Sequence, residues 1–174
     1  PFQFIQEWVA NYIIDERLEE AQNNYKALGG KSPLVAHTQK LCDKISLKLP
    51  DVSVDFVMRY TPPFADPILK NLQKKGIDEL YLLPLYPQYS TTTTASSFDD
   101  ITHACSTLKY HPIIHDIESF YSDKRYIELI VNQIKKSIDD IDTTQYDLVF
   151  SAHGLPKRTI KKGDPYVMHI ERNV

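Results

Sequence analysis

At 174 residues, 42% hydrophobic and 25% charged, the chain has the composition of a globular protein with one good core, or of one domain and part of another. Its net charge of −3 gives no reason to expect nucleic acid, whose binders carry a basic surplus. No apolar run approaches the roughly 18 residues of a membrane span and no signal-peptide pattern occurs, so a cytoplasmic location is expected.

In chain order, Ile5, Trp8, Val9, Tyr12, Leu18, Ala21, Tyr25 and Leu28 recur at three- and four-residue steps, which predicts a long helix with one apolar face. Gly29-Gly30 should close it. Ser32-Pro33 supplies an N-cap and a first-turn proline for a second helix, with Leu34, Leu41, Ile45 and Leu49 inward. After Pro50, VSVDFVM alternates with Val52, Val54, Phe56 and Met58 on one side, the pattern of a strand. The segment RYTPPFADPILKNLQKKG predicts a loop and then a helix, with Phe64, Ile68, Leu69 and Leu72 inward and its end at Gly76. DELYLLPL predicts a second strand and YPQYSTTTT its exit loop. Phe98, Ile101, Cys105 and Leu108 mark the next helix, and YHPII a short third strand ending at His115. Ser122 or Asp123 opens a helix with Tyr126, Ile127, Ile130, Val131, Ile134 and Ile138 inward, and DLVF predicts a fourth strand.

Strand and helix alternate throughout, with helices long enough to be crossovers, which argues for an α/β fold of parallel sheet wrapped by helices. The chain begins at Pro1 inside one helical pattern and stops at Val174 in the opening of another, as expected of an excerpt from a longer protein. Ligands of parallel sheets bind beyond the carboxyl ends of the strands. The four predicted strands deliver Arg59 and Tyr60, then Pro84 to Thr94, then His115 to Tyr121, then Ser151 and His153. That inventory of tyrosines, hydroxyls, one arginine and two histidines suits a large flat ligand better than a phosphate.

Several chemistries lose support on motif grounds. GxxxxGK[ST] and GxGxxG are both absent, and Gly29-Gly30 follows a helix. STTTTASS offers hydroxyls and a helix N-terminus to an anion, but reads equally as a capped polar loop. The nucleophile elbow GxSxG is missing. The two cysteines, Cys42 and Cys105, read as small buried residues in a reducing compartment. Of six histidines, His37, His103 and His169 fall in helical patterns and read as surface or half-buried residues. His111 reads as structural, and His115 as a packing or hydrogen-bonding residue. His153, placed between an apolar strand and a Gly-Leu-Pro turn, is the candidate for chemistry. A lone histidine makes a poor permanent metal site but a reasonable transient one, and it can also take a proton.

SAHGLP (151–156) followed by GDPY (163–166) resembles the most characteristic segment of ferrochelatases, enzymes that insert ferrous iron into a porphyrin to make haem. LYPQYSTTTTASSFDDI (85–101) is similar to that family's Pro-Gln-Tyr-Ser loop, and YKALGGKSPL (25–34) to its Gly-Gly-Ser-Pro turn. MRYTPP (58–63) resembles its Arg-Tyr segment and IESFYSD (117–123) the start of its second half. Together they cover nearly the whole chain in the family's order. The resemblance implies two similar chelatase-like lobes around a porphyrin cleft, the first over 1–109 without its first strand, the second beginning at 110 and truncated. It implies that His153 binds the incoming metal or accepts a pyrrole proton. By motif position, Tyr25, Ser32, Arg59, Tyr89 and Tyr121 become expected porphyrin-binding residues, with Arg59 paired to a propionate. Thr-Pro-Pro after Tyr60 and the threonine run at 91–94 depart from the commoner family sequences.

The same resemblance implies a glutamate partner of His153 beyond Val174, so this stretch alone is expected to be inactive. No permanent cofactor is expected, ferrous iron being a substrate. The expected partners are porphyrin and iron, not nucleic acid, with any peripheral membrane contact made by segments outside this chain. The rival readings are a sirohydrochlorin-type cobalt or iron chelatase, a non-catalytic tetrapyrrole-binding α/β module, and a sugar-phosphate or nucleotide-binding domain.

Overall fold

The computed structural model describes residues 2–139 and 141–174, with the side chains of 2–7, 15 and 143 outside the description. The chain divides into two compact units, one ending at Phe56 and one running Val57–Val174.

The first unit holds two helices, α1 (Phe2–Ala27) and α2 (Leu34–Lys48). Gly29 and Gly30 both take positive φ, and the Gly30 N–H reaches back to the Tyr25 carbonyl at 2.7 Å while Gly29 N–H reaches Lys26. This is the left-handed helix ending that the glycine pair predicts, and it satisfies two carbonyls that α1 would otherwise leave open. Ser32 accepts a bond from the Leu34 N–H at 3.3 Å, so the cap lies next to the predicted proline. The apolar stripe of α1 is not a core face. Trp8, Val9, Tyr12, Leu18, Tyr25 and Leu28 are all exposed, Ala21 is half-buried, and Ile5 lies outside the described side chains. On α2 the buried residues are Thr38 and Cys42, while Leu34, Leu41 and Leu49 are exposed. Helical periodicity gave the elements correctly, but what each face meets is a tertiary matter.

The second unit is built on a parallel strand pair. β1 (Glu79–Leu82) pairs with β2 (Ile113–Asp116), in register Glu79 with Ile113 through Leu82 with Asp116. Between them the chain passes through the 84–90 loop, a π-helical turn (Thr91–Ala95) and α4 (Ser96–Leu108), a βαβ crossover. α3 (Ala65–Lys74) precedes β1 and packs on α4. Ala65, Leu69 and Leu72 of α3, Leu80 of β1, and Ile101, Ala104 and Cys105 of α4 form the buried cluster, closed by Tyr110, whose hydroxyl donates to the Ile77 carbonyl. Phe64, predicted to face in, stands exposed at the N-cap of α3. Burial raises the Cys42 and Cys105 thiols above their ordinary range, so both are poor nucleophiles. Leu69 is only 2% exposed, so Leu69→Ala is expected to cost about 3 kcal/mol, read as a lower denaturant midpoint. A midpoint unchanged by that substitution would mean that this cluster is not the folding core.

Two of the four predicted strands do not form. In 52–58 the predicted alternation holds only in part: Val54, Phe56 and Met58 are half-buried and Ser53 and Asp55 exposed, but Val52 is exposed and Val57 is half-buried against the core cluster. The stretch 146–150 forms no regular element, with Leu148 and Val149 61% and 83% exposed. A strand is a property of two backbones, and an apolar run without a hydrogen-bonding neighbour among the described residues remains a coil. His153 therefore does not close a strand. α5 (Lys124–Ser137) begins where predicted, with Asp123 accepting from the Arg125 and Tyr126 N–H groups. Its stripe is half-buried at Tyr126, Ile127, Ile130 and Ile134, and Val131 faces out. A short 3-10 turn (Thr143–Gln145), α6 (Lys157–Lys161) and α7 (Tyr166–Asn173) complete the unit. β1 and β2 lie on either side of residue 110 within this one unit.

Candidate functional site

Three segments that are distant in sequence converge beyond the ends of β1 and β2, as parallel-sheet architecture favours. They are the loop 86–91, the loop 117–123 and the stretch 163–173. Backbone bonds join the first two: the Phe120 and Tyr121 N–H groups both donate to the Pro87 carbonyl, at 2.9 and 3.0 Å. Three polar side chains of the third segment fasten it to the others.

The first is Asp164. Gly163 takes φ +95, a conformation costly for any other residue, and this turns the chain so that Asp164 points back at the 86–91 loop. One carboxylate oxygen accepts from the Ser90 hydroxyl at 2.9 Å, the Thr91 N–H at 2.7 Å and the Thr91 hydroxyl at 2.6 Å. The other accepts from the Tyr166 N–H at 3.0 Å. Asp164 and Ser90 are both buried. Burial pushes the carboxyl up, but the bonds from Thr91, Tyr166 and Ser90 together outweigh it and hold the group below the ordinary aspartate range. Ser90 also accepts from the Thr92 N–H at 3.1 Å, capping the turn that leads into α4. The donors at this helix start are thus occupied by the protein's own carboxylate, a favourable charge at that end of the helix. The anion role open to STTTTASS is filled from within the chain.

The second is His169, on α7. It is 9% exposed, its ring lies 4.0 Å from the Tyr121 ring in a near-parallel stack, and its Nδ1 accepts from the Tyr89 N–H at 3.2 Å. Sequence reading placed this histidine at the surface or half-buried, and the structure corrects that. A histidine in a helical pattern carries no mark of burial, and the segments that cover it lie 46 or more residues upstream (Asp123 to His169). The third is Asn173, one turn further along α7, which accepts from the Gln88 side-chain amide at 2.8 Å and donates to the Tyr121 carbonyl at 3.1 Å.

The structure brings the six expected site residues together in part. Tyr89, half-buried, and Tyr121, buried, meet through His169. Tyr25 and Ser32 line one open hollow of the first unit, between the last turns of α1 and the glycine turn. Arg59 lies against the first turn of α4, with Nε donating to the Ser96 hydroxyl at 3.2 Å and a guanidinium nitrogen 3.3 Å from the Asp100 carboxylate. His153 is exposed in the irregular segment 151–156. His115, in β2, stacks on Tyr81 and bonds Glu79 at 2.8 Å, in keeping with a packing and hydrogen-bonding role. Among the described residues no group of three or more His, Cys, Asp or Glu side chains is placed to hold a metal ion, and no helix is long and apolar enough to cross a membrane.

A parallel strand pair joined by a crossover helix, with tyrosine-bearing loops at the strand ends, defines an α/β protein, and the chelatase-like class follows from its family. The family model described as Ferrochelatase matches residues 1–174. Among curated proteins, the chain is 45% identical over 170 residues to a ferrochelatase of a Nitratiruptor species, covering 98% of this chain and 55% of that protein. It is 45% identical over 173 residues to a ferrochelatase of Campylobacter concisus, covering 99% and 54%. Against a ferrochelatase of Helicobacter hepaticus it is 39% identical over 170 residues, covering 98% and 55%. The chain belongs to the ferrochelatase family, and it spans about half the length of these relatives.

Proposed function

We propose that this chain is part of a longer enzyme that inserts ferrous iron into a porphyrin, protoporphyrin or coproporphyrin, in a late step of haem biosynthesis. The match to the family model across all 174 residues carries the reading. The three-segment clasp supports it by joining the Pro-Gln-Tyr-Ser and Gly-Asp-Pro-Tyr segments, on which the resemblance rests. Insertion exchanges two pyrrole N–H protons for one Fe²⁺ and strips water from the ion, so the site must supply a ligand and a proton acceptor. In this reading the imidazole of His153 serves as one or both, with a glutamate from beyond Val174 as its partner. Iron is a substrate, and the enzyme needs no permanent cofactor. By motif position Tyr25, Ser32, Tyr89 and Tyr121 are each read as porphyrin-binding residues, the tyrosines offering flat apolar area with a polar handle and Ser32 a hydroxyl. Arg59 takes a propionate, for which its guanidinium must turn part of its fork away from Asp100.

In the same reading residues 1–109 belong to one lobe of the enzyme and 110–174 to the start of the other, so that the β1–β2 pair crosses their junction. Its setting is the cytoplasm, with any membrane contact peripheral and made by other segments. The test is a substrate panel with the full-length protein: anaerobic Fe²⁺ or Co²⁺ with protoporphyrin, coproporphyrin and sirohydrochlorin, followed by absorbance. Turnover of one of the first two rings is expected, and turnover of sirohydrochlorin alone would move the protein to the rival chelatase class. The 174-residue chain in the same assay is expected to show no turnover, and turnover by it would remove the need for a downstream glutamate.

A further inference from the structure

We infer that His169 is a positioning residue for porphyrin binding, fixing the backbone of the Pro-Gln-Tyr-Ser loop at Tyr89 through its Nδ1 while the Tyr121 ring holds its plane. This rests on the chelatase reading, since it takes the 86–91 loop to be a wall of the porphyrin cleft. None of the motifs that carry the family resemblance includes residue 169.

The geometry leaves the imidazole little freedom. The Tyr89 N–H can donate only to an unprotonated nitrogen, so Nδ1 must be bare and the proton of the neutral ring must sit on Nε2. Stacking at 4.0 Å and 20° fixes the ring plane, and burial removes the option of turning to solvent. Burial first, and then the positive charge of Arg172, lower the basicity of the ring against a weaker opposite pull from Asp164. Those are the two charges acting on it, while the 86–90 and 117–123 loops face it with the Tyr89 amide and the Tyr121 ring. The imidazole is thus kept neutral, the only form in which it can hold the loop.

Two variants of the full-length protein separate the acceptor from the stack. His169→Phe keeps a ring against Tyr121 and removes the acceptor, whereas His169→Asn places an amide oxygen near the Nδ1 position and removes the ring. For His169→Phe the KM for porphyrin is expected to rise roughly tenfold, the weight of one buried hydrogen bond left unmade, with kcat falling by less than about threefold. His169→Asn should recover at least half of that loss on a logarithmic scale. Wild-type KM in His169→Phe, or no recovery in His169→Asn, would overturn the assignment. A measurement that needs neither variant is the ¹⁵N spectrum of the histidine-labelled full-length protein. It should show a bare Nδ1 and a protonated Nε2 for His169 at neutral pH, and the opposite tautomer or an imidazolium would overturn the assignment. The two readings fail differently. Absence of porphyrin binding by the wild-type protein defeats the chelatase reading and this assignment with it, while normal porphyrin binding with unaffected variants defeats the assignment alone.

Discussion

Replacing His153 by alanine in the full-length protein is expected to lower the rate of ferrous iron insertion by at least about a hundredfold, the weight of a positioned proton acceptor or ligand at a reacting centre. The same substitution should leave stability within about 0.5 kcal/mol, because the side chain is exposed in the irregular segment 151–156. That contrast makes the experiment decisive. A buried histidine replaced by alanine loses activity and folding together, and the two cannot be separated. Here a collapse of turnover at an unchanged denaturant midpoint assigns the loss to chemistry. Anaerobic iron insertion into protoporphyrin, followed by absorbance, is the measurement. Equal turnover in the variant would leave the family in place and remove His153 from the mechanism.

Asp164→Ala is expected to be the most destabilising polar substitution in the second unit, on the order of 3 kcal/mol, since hydrogen bonds to a buried charged group count for more than neutral ones. Removing the carboxylate strands the Ser90 hydroxyl, the Thr91 N–H and hydroxyl and the Tyr166 N–H, three of them at the start of the helix that links β1 to β2. Asp164→Asn keeps an acceptor and loses the charge, and should fall between the two. A denaturant midpoint unchanged by alanine would show that water replaces the carboxylate without cost. The clasp should also respond to acid in two windows. The folded Asp164 carboxyl lies below its ordinary value, so its contribution is complete above about pH 4 and is lost as pH falls through the lower folded value. The folded His169 is also lowered, so its neutral form costs nothing above about pH 6.5, and stability declines as pH falls below that, where the unfolded chain takes the proton more readily. Midpoints measured from pH 8 to pH 3 should therefore decline in both windows, and His169→Asn should remove only the upper one.

The sequence was a good guide to elements whose cause is local. Gly29-Gly30 and Gly76 ended their helices, Asp123 capped α5, and the α3 and α4 apolar faces supplied Leu69, Leu72, Ile101 and Cys105 to the core. Caps, left-handed glycines and a 3.6-residue period act within a few residues, so the chain carries them in plain order. The candidate residues were legible only as motif positions: six side chains could be named, but not what each one touches.

By itself, then, the sequence determined helices α1 to α5 and the opening of α7, though not α6, together with the crossover from β1 to β2 and membership of a family whose motifs run the length of the chain. Tertiary structure decided the rest. Val52–Met58 and Asp147–Phe150 carry strand patterns and form no ladder among the described residues, because pairing needs a neighbouring backbone that no local pattern contains. Asp164, His169 and Asn173 became the fasteners of the site because a left-handed glycine and one helix face aim them at loops more than 40 residues upstream (Asp123 to Asp164). A hydrogen bond between distant segments depends on where the fold puts its two ends, and that position is the sum of every turn between them.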